Sequence, residues 1–274
     1  MSVKLPDGAW DTHCHVFGPA PLYPYASELA YEPEDRPREM LFAMHRSINV
    51  ARGVIVQPGC HGLDMRVTLD AIAASGGTYR GVALVAEDVT FAELERLHAG
   101  GIRGIRFNYV PRLGPVPTDE AVRSLAKRIA PLGWHIVLHF EPAALASFEP
   151  LSRELEVPFV FDHFGRITVD GGLDQEPFQA LLRMAENPHC WVKISAADRA
   201  SNTPPHYRDV IPFAHALLEN SPERILWGTD WPHPNVKGPL PAKTDLVALL
   251  SEFIPDAGLR RRVLVDNPQL LYGS

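Results

Sequence analysis

Five positions in this sequence have residue types and spacings suited to activating water. His13 and His15 stand two apart in Asp11-Thr12-His13-Cys14-His15. On an extended strand that spacing sends both imidazoles to one face and Cys14 to the other. A lone His-x-His arises readily by chance, but His139, His163 and Asp230 add weight because each closes an apolar run of strand type. Four imidazoles and a carboxylate at strand ends suit one of two devices: a metal's ligand set, or an electrophilic pocket around a water-activating base. The bland alternative, polar plugs in a core, requires a buried hydrogen-bond partner for every ring.

Cationic residues accompany them. Arg106 lies inside the apolar run Gly104-Ile105-Arg106-Phe107-Asn108, Arg112 follows in a loop, and Arg199 comes after another run in Ala197-Asp198-Arg199. An unpaired buried guanidinium is costly, so Arg106 should face an anion. That anion is either a ligand carboxylate or an internal partner such as Asp11 or Asp198. Lys193, in Trp191-Val192-Lys193-Ile194-Ser195, reads as a ligand contact or as a structural ion-pair member. Tyr31, His61 and His233 fall in segments placed to cover a site, whereas His98, His189, His206 and His215 look like ordinary helix or surface residues.

Such side chains need a frame that presents strand ends together. Eight short apolar runs alternate with helical patterns: Ala9–His15, Arg52–Gln57, Tyr79–Val85, Ile102–Asn108, Trp134–Phe140, Pro158–His163, Cys190–Ser195 and Arg224–Asp230. Runs such as Val54-Ile55-Val56 are apolar on both faces, as strands between a barrel core and its helices should be. Helices are expected at 90–99 and 118–130, the second with Val122, Leu125 and Ile129 on one face and Thr118 as N-cap. The expected fold is a single-domain TIM-type (β/α)₈ barrel over residues 1–274, with catalytic groups at the C-terminal ends of its strands. The long proline-rich segments 17–37, 196–205 and 231–241 would cover that face. An open doubly wound sheet is the structural rival, although no Gly-x-Gly-x-x-Gly follows a strand.

Composition narrows the partners. The 274 residues are 46% hydrophobic and carry a net charge of −7, which argues against nucleic acid while leaving an anionic small molecule open. No apolar run approaches the ~20 residues needed to span a bilayer, and Met1 to Ala9 lacks a basic region followed by an apolar one. Three widely spread cysteines make no disulfide framework. A soluble, cytoplasmic protein is expected.

Longer motifs then enter: Asp11-Thr-His13-Cys-His15, Val54-Ile-Val-Gln57, Cys60-His-Gly62, Gly101-Ile-Arg-Gly-Ile-Arg-Phe-Asn108, Phe161-Asp-His-Phe-Gly-Arg166, Trp227–Asn235 and Asp266-Asn-Pro-Gln-Leu-Leu-Tyr272. Together they run almost end to end, and the chain resembles the amidohydrolase-related branch of the amidohydrolase superfamily, in particular its hydrolases of small anionic lactones from aromatic-compound breakdown. The resemblance implies that His13, His15 and His163 polarise the lactone carbonyl and that Asp230 takes a proton from water. It also implies that Arg106, Arg112 and Arg199 hold substrate carboxylates while Tyr31 closes over the ring. Two positions depart from the pyrone-dicarboxylate members of that branch, which carry a tyrosine, going with a metal-free mechanism, where this chain has His139 and a serine where it has Gly59. A histidine at 139 completes His13, His15, His139 and Asp230, the set by which mononuclear relatives hold zinc or a similar ion. Cofactor expectations are therefore none or one divalent metal, and Phe107-Asn108, with neither lysine nor glutamate, argues against a second. The implied substrate is a pyrone dicarboxylate or a muconolactone bearing a carboxylate or sulfonate. Metal-dependent decarboxylation of an aromatic or muconate acid is the alternative reaction, and a barrel that merely binds a carboxylate is the non-enzymatic one.

Overall fold

The computed structural model describes residues 5–27, 29, 33–234, 236 and 240–273, with only the backbone of 243 and 244. Eight parallel strands follow one another in chain order: β1 (Trp10–Cys14), β2 (Arg52–Val56), β3 (Tyr79–Ala83), β4 (Ile102–Tyr109), β5 (His135–Phe140), β6 (Phe159–Phe161), β7 (Cys190–Lys193) and β8 (Ile225–Leu226). Helices lie between them, including α1 (Arg38–Ser47), α2 (Arg66–Ala74), α3 (Phe91–Ala99), α4 (Asp119–Ile129), α5 (Leu145–Ser152), α6 (Glu176–Ala185), α7 (Ala197–Ala200) and α8 (Ile211–Asn220), with α9 (Lys243–Phe253), α10 (Ala257–Arg261) and α11 (Asn267–Tyr272) after β8.

The cylinder closes beyond the two-residue β8. Thr12 donates its backbone N–H to the Trp227 carbonyl at 3.0 Å, Asp230 to His13 at 2.8 Å and His15 to Trp231 at 2.8 Å. These bonds join the first strand to the segment after the last, and the open-sheet rival is excluded.

The apolar runs divide between two layers as their period-2 pattern dictates. Val54, Val56, Val82, Val137, Val160 and Leu226 fill the barrel interior, closed below by Trp10, Leu271 and Tyr272. Ile55, Ile105, Ile136 and Val192 pack outward against the helices. In α4, Val122, Leu125 and Ile129 are buried and the Thr118 hydroxyl accepts from the Ala121 N–H at 3.1 Å. Each such aliphatic burial contributes roughly 1.5–3 kcal/mol.

Strand boundaries differ from the sequence expectation where function concentrates. His163 and Asp230 lie past the ends of β6 and β8 rather than within them, because both adopt left-handed backbone, φ 54° and 56°, which no strand accommodates. A register shift between Asp11 and Cys14 lets Trp10 and His13 both face inward although they are an odd number of residues apart. Among the described residues no helix is long and apolar enough to cross a membrane.

Candidate active site

At the C-terminal mouth of the barrel three imidazoles converge on one carboxylate oxygen. Asp230 Oδ1 lies 3.3 Å from His15 Nε2, 3.6 Å from His13 Nε2 and 3.7 Å from His163 Nε2. All four residues are buried. Asp230 Oδ2 takes the Arg199 guanidinium, which donates from Nη2 at 2.6 Å and from Nε at 3.1 Å.

The opposite edge of each ring decides what its Nε2 can do. His15 Nδ1 faces the Val56 carbonyl at 2.8 Å, which only accepts, so Nδ1 holds the proton and Nε2 offers a lone pair. His13 Nδ1 lies 3.0 Å from Asp162 Oδ1 and 3.2 Å from Lys193 Nζ; with the lysine paired to Asp162 at 3.1 Å, the ring proton faces the carboxylate and Nε2 is again a lone pair. His163 Nδ1 instead meets the Ser195 hydroxyl at 2.9 Å, which can donate and leave His163 Nε2 as an N–H. Two nitrogen lone pairs thus confront a carboxylate oxygen, and His13 Nε2 and Asp230 Oδ1 have no hydrogen-bond partner. A proton or a cation between them resolves the conflict. Ligand atoms about 2.0–2.1 Å from one tetrahedral ion stand roughly 3.3 Å apart, so the set fits a divalent metal such as zinc.

Charge around the set is arranged in pairs. Burial would raise the Asp230 carboxyl, but the Arg199 guanidinium and the surrounding imidazoles hold it well below the usual range. Burial pushes His13 down to about 4 and moves His163 and His139 well below the ordinary imidazole value, so these rings are neutral near pH 7. Arg106 finds its anion inside the protein. Its Nη2 lies 3.0 Å from Asp162 Oδ2, while Lys193 Nζ lies 3.1 Å from Asp162 Oδ1. The partner is therefore neither Asp11 nor Asp198, and Lys193 is the ion-pair member rather than a pocket contact.

The cleft above this set holds roughly 530 Å³ of space, solvent mouth included, a size suited to a small ring. Asp230, His15, His163 and His139 line it together with Arg106, Arg112, Arg199, Asn108 and Gly59. Arg112 is exposed at the rim and has no ion pair among the described residues. His139 belongs to the cleft but not to the cluster of His13, His15 and Asp230, whose ligand atoms lie within 4.8 Å of one another. Its Nδ1 is held by Asn108 Oδ1 at 3.0 Å, and its ring stands edge-on to His163 with centroids 5.9 Å apart.

Other expected residues sit elsewhere. Tyr31 lies outside the described residues. His61 pins a loop, accepting from the Gly18 N–H at 3.1 Å and reaching the Pro24 carbonyl at 3.2 Å. His233 is buried on the far side of the Asp230 turn, beside Thr229 and Trp231. Sequence reasoning passed over Asp162, Ser195 and Arg166, the last paired with Glu141 at 3.3 Å. For Asp162 a signal existed: Arg106 and Lys193 in apolar strands demand a counter-charge, and Asp162 follows β6, one of the two strands between theirs.

Comparisons with known proteins identify the family. The model of the family described as Amidohydrolase matches residues 10–274. A 2-pyrone-4,6-dicarboxylate hydrolase of Comamonas testosteroni is 44% identical over 98% of this chain and 91% of its own. A 4-sulfomuconolactone hydrolase of Rhizobium radiobacter is 42% identical over 100% of this chain and 92% of its own. A solved structure from Pseudomonas putida, provisionally named a 2-pyrone-4,6-dicarboxylic acid hydrolase, superposes with a TM-score of 0.88 at 31% identity, covering 98% of each chain.

Proposed function

The chain belongs to the amidohydrolase family, and from that premise we propose that it hydrolyses a small anionic lactone formed in the breakdown of aromatic compounds. The observation that carries the reading is the convergence of three imidazoles on Asp230 beneath a cleft edged by guanidinium groups. Relatives named as hydrolases of a pyrone dicarboxylate and of a sulfomuconolactone support the same class: a ring ester carrying one or two further acid groups. Three buried cysteines without a disulfide support assignment to the reducing cytoplasm.

Arg112 and Arg199 attract the acid groups of the substrate, with Arg106 behind them and Tyr31 assigned to cover the ring. An anion that draws Arg199 toward itself loosens its grip on Asp230 Oδ2, so binding strengthens the base where it is needed. Asp230 accepts a proton from water as the water oxygen bonds to the acyl carbon. The carbonyl oxygen gains charge opposite the His163 N–H and the arginines, which stabilise it. The ring C–O bond then breaks, the proton passes to the departing oxygen, and the product is an open-chain carboxylate. A divalent ion held by His13, His15 and Asp230, with His139 or His163 completing the set, would supply Lewis-acid polarisation at the same carbonyl.

The test is a panel of 2-pyrone-4,6-dicarboxylate, 4-carboxymuconolactone and 4-sulfomuconolactone, followed by ultraviolet loss of the ring, with carbon dioxide measured in parallel. Ring opening without gas is expected, and Asp230→Asn should lower kcat at least 10³-fold while still binding. Gas release would replace the reading with decarboxylation, and binding without turnover by the wild type would reject catalysis. Metal content and activity after chelation decide between the two modes of carbonyl activation.

A further inference from the structure

We propose that Asp11, Thr229 and His45 are positioning residues that set the geometry of Asp230 from behind the site, in a role that rests on Asp230 being the base. Asp11 faces away from the cleft, is fully buried, and has both carboxylate oxygens engaged twice. Its Oδ1 accepts the N–H of His13 at 2.9 Å and of Thr229 at 3.1 Å. Its Oδ2 accepts the Thr229 hydroxyl and the Nε2–H of His45, the latter at 3.0 Å. One carboxylate thus grips the strand that bears His13 and the residue immediately before Asp230.

The grip extends in both directions. Thr229 Oγ1 also accepts the Trp231 N–H at 3.1 Å, so Asp230 is flanked on both sides by groups tied to Asp11. That matters because Asp230 is held at φ 56°, a conformation that an aspartate keeps only when its surroundings impose it. Behind Asp11, His45 of α1 uses its other nitrogen on the Tyr79 hydroxyl of β3 at 2.6 Å. The Tyr79 ring fits because β2 has Gly53 beside it, where a Cβ would lie 2.9 Å from the ring. The chain Tyr79–His45–Asp11–Thr229 therefore locks the base to β1, β3 and α1 through side chains that lie outside the cleft.

Groups that orient a working side chain typically alter activity 10–100-fold when removed. Thr229→Val keeps the shape and deletes the hydroxyl, and Thr229→Ser restores it. The expected result on the best lactone of the panel is a kcat at least tenfold lower for Thr229→Val with KM within threefold of wild type, and a kcat within threefold for Thr229→Ser. Asp11→Asn should fall further and Tyr79→Phe less. Amide hydrogen exchange of the peptide spanning 227–231 gives a readout that needs no substrate: protection should drop about tenfold in Thr229→Val and return in Thr229→Ser. If the wild type opens no lactone, the exchange result alone decides the grip, so failure of the functional reading is distinguishable. Unchanged exchange in Thr229→Val overturns the proposal, as does a kcat equal to wild type on a lactone that the wild type opens.

Discussion

Asp162 shows how much the site depends on a residue that never faces the cleft. It compensates Lys193 and Arg106 and also holds His13, and those same cations keep its carboxyl ionised against the upward push of burial. Removing one partner of a buried charge group costs about 3–5 kcal/mol, because the remaining charges stay in a low dielectric. Asp162→Asn should therefore lose stability of that order in urea unfolding, and Lys193→Met added to it should recover part. A loss below ~1 kcal/mol, or strict additivity of the two changes, would show that Lys193 and Arg106 find their counter-charge elsewhere.

At the scale of elements, the turn after β8 must approach β1 closely enough for Asp230 to reach the imidazoles. Gly228 permits it: a Cβ there would stand 2.7 Å from both the Cβ and the backbone N of His13. Gly228→Ala should cost about 1–3 kcal/mol in thermal unfolding, whereas Gly59→Ala, whose Cβ would meet nothing within 4 Å, should leave the midpoint unchanged. Equal midpoints for the two variants would refute the close-approach reading. The sequence made the eight strands and the inward pair His13 and His15 legible, because hydrophobic period and side-chain alternation are local properties. It made Asp230 legible as a member of the set but not the turn that presents it, since a left-handed residue leaves no periodic trace. Partners were harder still. Asp162 with Arg106, His45 with Asp11 and Ser195 with His163 are pairings across 32 to 56 residues, fixed by barrel register rather than by neighbouring sequence.

For the molecule as a whole, the barrel's lower interior sets an acid limit. His135, at the start of β5, is buried edge-on against Tyr272, and burial, aided by Lys193, pushes its pKa from 6.5 down to about 3. Between those values the unfolded chain binds a proton that the folded protein refuses, so stability is retained above pH ~6.5 and lost as pH falls below it. The loss from this one group amounts to about 1.4 kcal/mol per pH unit, ending near pH 3. Denaturation curves at pH 7, 6, 5 and 4 should show it, with a shallower slope in His135→Gln. Identical slopes would mean that another group governs acid sensitivity.

The bonds from Thr12 to Trp227 and from Asp230 to His13 join segments more than 200 residues apart, and they are also the bonds that bring Asp230, the proposed base, to the imidazoles. The seam of the cylinder and the reactive centre are one place. A chain emerging from the ribosome therefore carries His13 and His15 long before it acquires the carboxylate that the proposed reaction needs, and on that reading it remains chemically silent until the ring has shut. Turnover in this protein doubles as a certificate of completed folding.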